Sequence, residues 1–251
     1  MATLKVGCCG FAGSMHDYYE KFDVVEVQQT FYKLPKESTL SRWRLEAPGD
    51  FEFTVKAYQA VTHPKTSPTW RRAGRDVSSR LPEDIGHLKP SPVNFEAWTK
   101  TVEAMKILKA KICLVQCPPS FTATEENIEN MRRFFSEVDR EGVEVAWEPR
   151  HRSWYGDLDK MRRLLDSLSL IDVVDIFKRE PLSSHPIGYI RLHGLGGDVN
   201  YSYKYSEADL RNLKDRIIKL CSLKKLVYVF FNNVTMKRDS LTFKSIWCES
   251  V

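Results

Sequence analysis

Short apolar runs alternate along the chain with longer stretches whose apolar residues recur at helical spacing. The runs read as strands over residues 4–8, 24–28, 51–57, 111–117, 143–148, 170–175, 187–193 and 225–231. Most are apolar almost throughout, as in a parallel sheet covered on both faces. The stretches between them carry helical stripes. Trp98, Val102, Met105 and Leu108 form one, with Asn94 as its expected cap. Ile128, Met131, Phe134 and Phe135 form another behind Thr124. Leu158, Met161, Leu164 and Leu165 follow Asp157, and Leu210, Leu213, Ile217 and Leu220 follow a capping-box pattern at Ser206–Asp209. Weaker patterns predict a helix after Ser14, one opened by Ser38 or Thr39 with Leu40, Trp43 and Leu45 inward, and a short one after Asp239.

Strand then helix, repeated roughly eight times in one chain of 251 residues, is the pattern of a single (β/α)8 TIM-type barrel. A doubly wound open sheet fits less well, because no Gly-rich dinucleotide fingerprint follows the first strand. No linker or low-complexity stretch interrupts the pattern, so one domain is expected over 1–251, with a long basic loop at about 62–93.

In such barrels chemistry sits at the C-terminal strand ends. Here those ends supply Glu26 and Gln28, Lys56, Gln116, Glu148 and Arg150, Asp175, Arg191 and His193, then Asn232 and Asn233. Alternation places Arg191 and His193 on one strand face, and a Gly-rich turn with Gly194, Gly196 and Gly197 follows. Glu148 is the expected general base or acid, His193 a second proton-transfer group, and Lys56 and Arg191 the cations that hold an anion and stabilise developing charge. The loops after the last two strands, with their glycines and Asn232 and Asn233, are where such barrels often bind phosphate. These readings predict a hydrolase or lyase acting on a small phosphorylated or otherwise anionic substrate. The carboxylates stand among cations, which disfavours a metal site, and no cofactor is expected.

Two other readings compete. Trp70, Arg71, Arg72 and Arg75 in the long loop, with Trp154 after the fifth strand, would suit a nucleic-acid backbone and a stacking base in a non-catalytic binder. Alternatively, the strand-end charges form a closed ion-pair network, with Arg191 and His193 a buried polar pair satisfied by neighbours.

Composition changes little. The net charge of +5 is compatible with an anionic ligand, and the apolar fraction of 42% suits a chain with an ordinary core. No apolar run is long enough to span a membrane, and residues 1–6 enter a strand pattern at once, so a cytoplasmic protein with free thiols is expected. Cys113 and Cys117 read as buried hydrophobes rather than zinc ligands.

Six motifs, in order, resemble one family. They are residues 25–35 (Val-Glu-Val-Gln-Gln-Thr-Phe-Tyr-Lys-Leu-Pro), 53–57 with Thr62-His63, 116–121 (Gln-Cys-Pro-Pro-Ser-Phe), 148–154, 189–194 and 230–233. Together they resemble the YecE-like proteins, the domain of unknown function 72 family. The resemblance covers nearly the whole chain and implies a TIM barrel similar to those of apurinic-site endonucleases and xylose isomerases. It implies no established activity. Gln28 stands where many relatives have Asn, and Cys8-Cys9-Gly10-Phe11 replaces the usual Gly-x-Ser-Gly-Trp opening.

Overall fold

The computed structural model describes residues 2–74 and 77–249. The strands are β1 (Thr3–Cys9), β2 (Val24–Val27), β3 (Glu52–Lys56), β4 (Ile112–Gln116), β5 (Glu144–Glu148), β6 (Leu170–Val174), β7 (Ile187–Leu192) and β8 (Leu226–Phe231). They follow chain order in a closed barrel, the topology of the (β/α)8 fold. The helices are α1 (Met15–Lys21), a single turn α2 (Gln29–Tyr32), α3 (Glu37–Glu46), α4 (Pro92–Leu108), α5 (Glu125–Glu137), α6 (Leu158–Ser167), α7 (Glu207–Cys221) and α8 (Met236–Cys248). Among the described residues no helix is long and apolar enough to cross a membrane.

The chain divides into two compact units. One holds residues 1–26, 47–52 and 171–251, the other 27–46 and 53–170. In the first, β8 pairs in parallel with both β1 and β7, in a register that sets Val6 beside Val229 and Arg191 beside Phe230. Apolar residues from these strands, among them Ile190, Leu192 and Val229, pack on the stripe Leu210, Leu213 and Ile217 of α7 and on Phe243 of α8. In the second, β4 pairs with β3 and β5. There α4 and α5 present Trp98, Met105, Met131 and Phe134, all buried.

Helix starts follow local chemistry. The Thr124 hydroxyl accepts from the Asn127 N–H, Asp157 from the Lys160 N–H, and Ser206 and Asp209 close a reciprocal capping box. Several expectations are corrected. Asn94 is not a cap: α4 starts at Pro92 behind Ser91, where the fixed φ of proline suits a first helical residue. The buried Asn94 amide instead clamps both the N–H and the C=O of Gly86, at 2.9 and 3.0 Å. Asp239 does not precede the last helix but lies in its first turn, buried, accepting from Thr235 and Asn233. Leu45 and Leu158 are exposed, not inward. Among the described residues no helix links β6 to β7. Arg179 turns back to grip the buried Asp172 carboxylate with two bonds of 2.6 Å, and the Leu182 N–H adds a third, so the chain crosses as an irregular segment.

Candidate functional site

The second unit brings four of the expected residues together. The β4–β5 register sets Gln116 opposite Glu148, each the last residue of its strand. The β3–β4 register sets Lys56 opposite Leu114, so strand alternation puts Lys56 on the same face as Gln116. Lys56 Nζ donates to Gln116 Oε1 at 3.1 Å, and Arg150 Nη2 approaches the same oxygen at 3.4 Å. Arg150 Nη2 also stands 3.1 Å from Glu148 Oε1. Lys56 and Glu148 are buried, so these charges act in a medium of lower dielectric than water.

Lys56 is built into its place. Its Nζ lies 4.0 Å from the centre of the Phe31 ring, and its carbonyl accepts from the Thr30 hydroxyl at 2.7 Å. The Phe31 ring also meets His63, edge-on at 4.8 Å between ring centres. His63 is buried, and its Nδ1 pairs with the Thr62 hydroxyl at 2.7 Å. Burial above all, then the charge of Lys56, pushes the His63 pKa down to about 3. The folded state therefore holds His63 neutral while the unfolded chain protonates it below about 6.5. The sign follows: the stability it contributes is complete above about 6.5 and is lost as pH falls toward 3. Urea unfolding from pH 7 down to about 4.5 is expected to show a loss of about 1.4 kcal/mol per pH unit below about 6.5 from this residue alone. His63→Gln is expected to flatten that slope; an unchanged slope would show that His63 is not the group responsible.

The first unit gathers a different set. Glu26 and Arg191 are fully buried partners, with Arg191 Nη2 and Nε 2.9 and 3.2 Å from Glu26 Oε1. The Tyr189 hydroxyl donates to Glu26 Oε2 at 2.7 Å, and Cys9 Sγ lies 3.6 Å from Arg191 Nη2. Cys9 pairs with Glu26 across β1 and β2, and burial, reinforced by Glu26, holds its thiol well above the usual range. Arg191 is 1% exposed. An external anion would reach it only by displacing Glu26, so this pair behaves as the closed ionic network, and the expected anion-holding role of Arg191 is not what its surroundings serve. His193 is close to Arg191 in sequence and also buried, but its backbone is tied elsewhere: Asp175 Oδ2 takes its N–H at 3.3 Å.

The Gly-rich turn is corrected in part. Gly194 has φ +84°, and a Cβ there would lie 2.1 Å from the Asn200 carbonyl oxygen, so glycine is required for chain packing. Its N–H donates to the Tyr205 hydroxyl at 2.8 Å and is not offered to a ligand. Gly196 and Gly197 are exposed, with open space where a Cβ would stand. Asn233 braces the loop: its amide nitrogen donates to the Tyr203 carbonyl, Thr235 and Asp239. Asn232 is half-buried and ties its backbone N–H to the Leu192 carbonyl at 2.9 Å. Gln28 is half-buried and stands at the start of α2.

A model of the family described as "Protein of unknown function DUF72" matches residues 10–246. The chain belongs to this family. Among curated relatives of the DUF72 chain is the UPF0759 protein YunF of Bacillus subtilis (strain 168), 24% identical over 86% of this chain and 79% of its own length. Among solved structures, a DUF72 family protein from Thermotoga maritima superposes with a TM-score of 0.71 at 24% identity, covering 97% of this chain and 98% of that one. Endonuclease IV from Thermus thermophilus is more distant in fold, with a TM-score of 0.54 at 10% identity and coverage of 98% and 100%. These likenesses show a common barrel fold and do not carry an activity across.

The basic loop of the DUF72 chain is more ordered than a solvated flap. It carries short 3-10 turns over Pro68–Arg72 and Ser78–Arg80. Trp70 is 1% exposed and donates from Nε1 to the Pro64 carbonyl at 2.9 Å. Trp154 is 3% exposed, donates to the Phe121 carbonyl at 2.7 Å and stacks on Phe121. Neither indole offers a face to a nucleic-acid base, which corrects the stacking role expected of both. Arg72 leans on the Tyr32 ring and donates to its hydroxyl, while Arg71 is exposed. Arg75 lies outside the described residues. Sequence reasoning gave no site role to Phe31, His63, Tyr189 or Cys9. Their contacts join positions far apart in the chain, and only the family motifs at residues 25–35, Thr62-His63 and 189–194 touched three of them, Phe31, His63 and Tyr189. No group of three or more His, Cys, Asp or Glu side chains suited to a metal ion occurs among the described residues.

Proposed function

We propose that this protein is a hydrolase- or lyase-type enzyme that binds a phosphorylated or otherwise anionic substrate through the C-terminal ends of β3 to β5. The carrying observation is the convergence of Lys56 Nζ and Arg150 Nη2 on the single Gln116 Oε1. The Gln116 amide oxygen accepts from both cationic heads, while Glu148 pairs with Arg150. A phosphate or carboxylate oxygen offers the same acceptor geometry with a full charge, and charge-assisted bonds to it are stronger. In this reading Glu148, which pairs with Arg150, moves a proton next to that anion. His193 remains a second proton-transfer candidate, to be tested separately from Glu148.

Thermal-shift titrations with inorganic phosphate and a panel of sugar phosphates test the binding claim. A ligand of this class is expected to raise the melting temperature, less so at higher salt. Lys56→Met and Arg150→Met are each expected to weaken it about 10- to 150-fold, the equivalent of one charge-assisted hydrogen bond. Wild-type binding that both variants preserve would remove the proposal.

A further inference from the structure

The loops that leave β3 and β4 bring a serine and a histidine together. The Ser120 hydroxyl and His87 Nε2 share a hydrogen bond of 2.9 Å across 33 residues of chain. Both residues belong to the second unit. Ser120 is exposed, so a molecule in solvent can reach its Oγ, while His87 is half-buried. A serine hydroxyl is a weak nucleophile until an adjacent base takes its proton, and a direct bond to an imidazole nitrogen is the contact that allows it.

The histidine stands on a backbone that its surroundings impose. Gly86, His87 and Leu88 are consecutive residues with positive φ, +81°, +53° and +51°. Glycine adopts such angles freely; leucine does so rarely. The His87 and Leu88 N–H groups donate to the Thr62 and Val61 carbonyls at 2.9 and 3.0 Å. Leu88 is fully buried, and the Asn94 amide that grips Gly86 also donates to the Lys89 carbonyl at 2.9 Å. Backbone held against its preference in this way is concentrated where a side chain has to be aimed. The serine side is fixed as well. The Phe121 N–H donates to the Pro118 carbonyl at 2.9 Å, closing the turn that carries Ser120. The buried Phe121 ring stacks on Trp154 and lies 5.6 Å, centre to centre, from the imidazole of His87.

The same surroundings keep the imidazole a base. Burial first, then the charge of Lys89 in its own loop, holds its pKa below the ordinary value, and Glu126 in the first turn of α5 opposes them. His87 is therefore neutral at about pH 7, the form that accepts a proton. The two charges that act on it have opposite signs. Such a place suits an uncharged electrophile better than a phosphate ester, whose transfer calls for a clamp of cations.

We propose that Ser120 and His87 are a nucleophile and its base, and that they cleave small uncharged carboxylic esters through an acyl-enzyme. Ser120 Oγ attacks the carbonyl carbon of the ester while its proton passes to His87 Nε2, with Nδ1 carrying the other ring proton. The tetrahedral adduct breaks its bond to the alcohol oxygen, which leaves with the proton from His87. Water then repeats the sequence. His87 takes one of its protons, the hydroxide attacks the acyl carbon, and Ser120 Oγ departs with the proton that His87 returns. Ester and water become acid and alcohol, and both residues are restored. The pair uses neither Lys56 nor Arg150 and does not rest on the proposed anion site.

p-Nitrophenyl acetate tests it. The full chain is mixed with the ester, quenched in acid and digested, and acetylated peptides are located by mass spectrometry while nitrophenol release is followed by absorbance. An acetyl group on Ser120 is expected. Ser120→Ala is expected to lose the matching share of nitrophenol release. His87→Asn keeps a residue type that tolerates positive φ and removes the base, and it is expected to slow acetylation of Ser120 about 10²- to 10⁴-fold. In the wild type the acetylation rate is expected to be level above about pH 7 and to fall on the acid side, as His87 takes up a proton. No acetyl group on Ser120, equally fast acetylation in His87→Asn, or a rate that climbs without a plateau through the alkaline range would overturn the inference. Thermal-shift titration with phosphate reads the Lys56–Arg150 site separately, so none of these outcomes bears on the proposed function.

Discussion

Arg191→Ala is expected to lower the stability of the protein by about 3–5 kcal/mol, the cost of leaving one member of a buried ion pair uncompensated. In a domain of this size that is about 6–20 °C in melting temperature. Glu26 is fully buried, and its two oxygens are held by Arg191 and by the Tyr189 hydroxyl. Removing the guanidinium leaves that carboxylate in a low-dielectric interior, where it must become protonated or draw in water. Glu26→Ala is expected to cost as much, through the stranded arginine. The triple substitution Glu26→Met, Arg191→Met and Tyr189→Phe is expected to recover most of the loss, because a buried ion pair of this kind does little better than apolar groups of similar volume. Denaturant unfolding of the wild type and these three variants decides the matter. A loss below about 1 kcal/mol for Arg191→Ala would show that the pair is not the closed network its distances describe.

Glu148→Gln is expected to lower turnover about 10²- to 10⁴-fold on whichever anionic substrate the thermal-shift panel identifies, the usual contribution of a positioned acid or base. The substitution keeps the shape of the side chain and removes only its charge and basicity. Ground-state binding is expected to change far less than turnover, because Lys56, Gln116 and Arg150 still meet at one point. The comparison of kcat with KM is therefore the informative measurement. A rise in KM with kcat unchanged would make Glu148 a group that orients Arg150 and would end its assignment as the proton carrier.

These predictions rest on two kinds of legibility. The strand ends could be read in the sequence because a covered parallel strand must be apolar along its length, so a charge at its last residue stands out. Lys56, Gln116 and Glu148 were marked in this way, and the register brought them together. Partner choice could not be read. Arg191 looked like a cation for a ligand, and it is the counter-ion of Glu26, contributed by a strand far away in sequence. Trp70 and Trp154 looked like rim aromatics beside arginines. Each instead has its N–H satisfied by a backbone carbonyl and its ring in the core.

The alternation of short apolar runs with helical stripes determined the (β/α)8 class, the helix caps at Thr124, Asp157 and Ser206, and the residues that end each strand. These are local properties, set by side-chain period and by hydrogen bonds within a few residues. Tertiary structure alone decided which charges neutralise one another, which aromatics reach solvent, why Gly194 must be glycine and why Asn94 clamps Gly86 instead of capping a helix. Each of those depends on atoms that the chain brings close only after it has folded, and no spacing along the sequence encodes them.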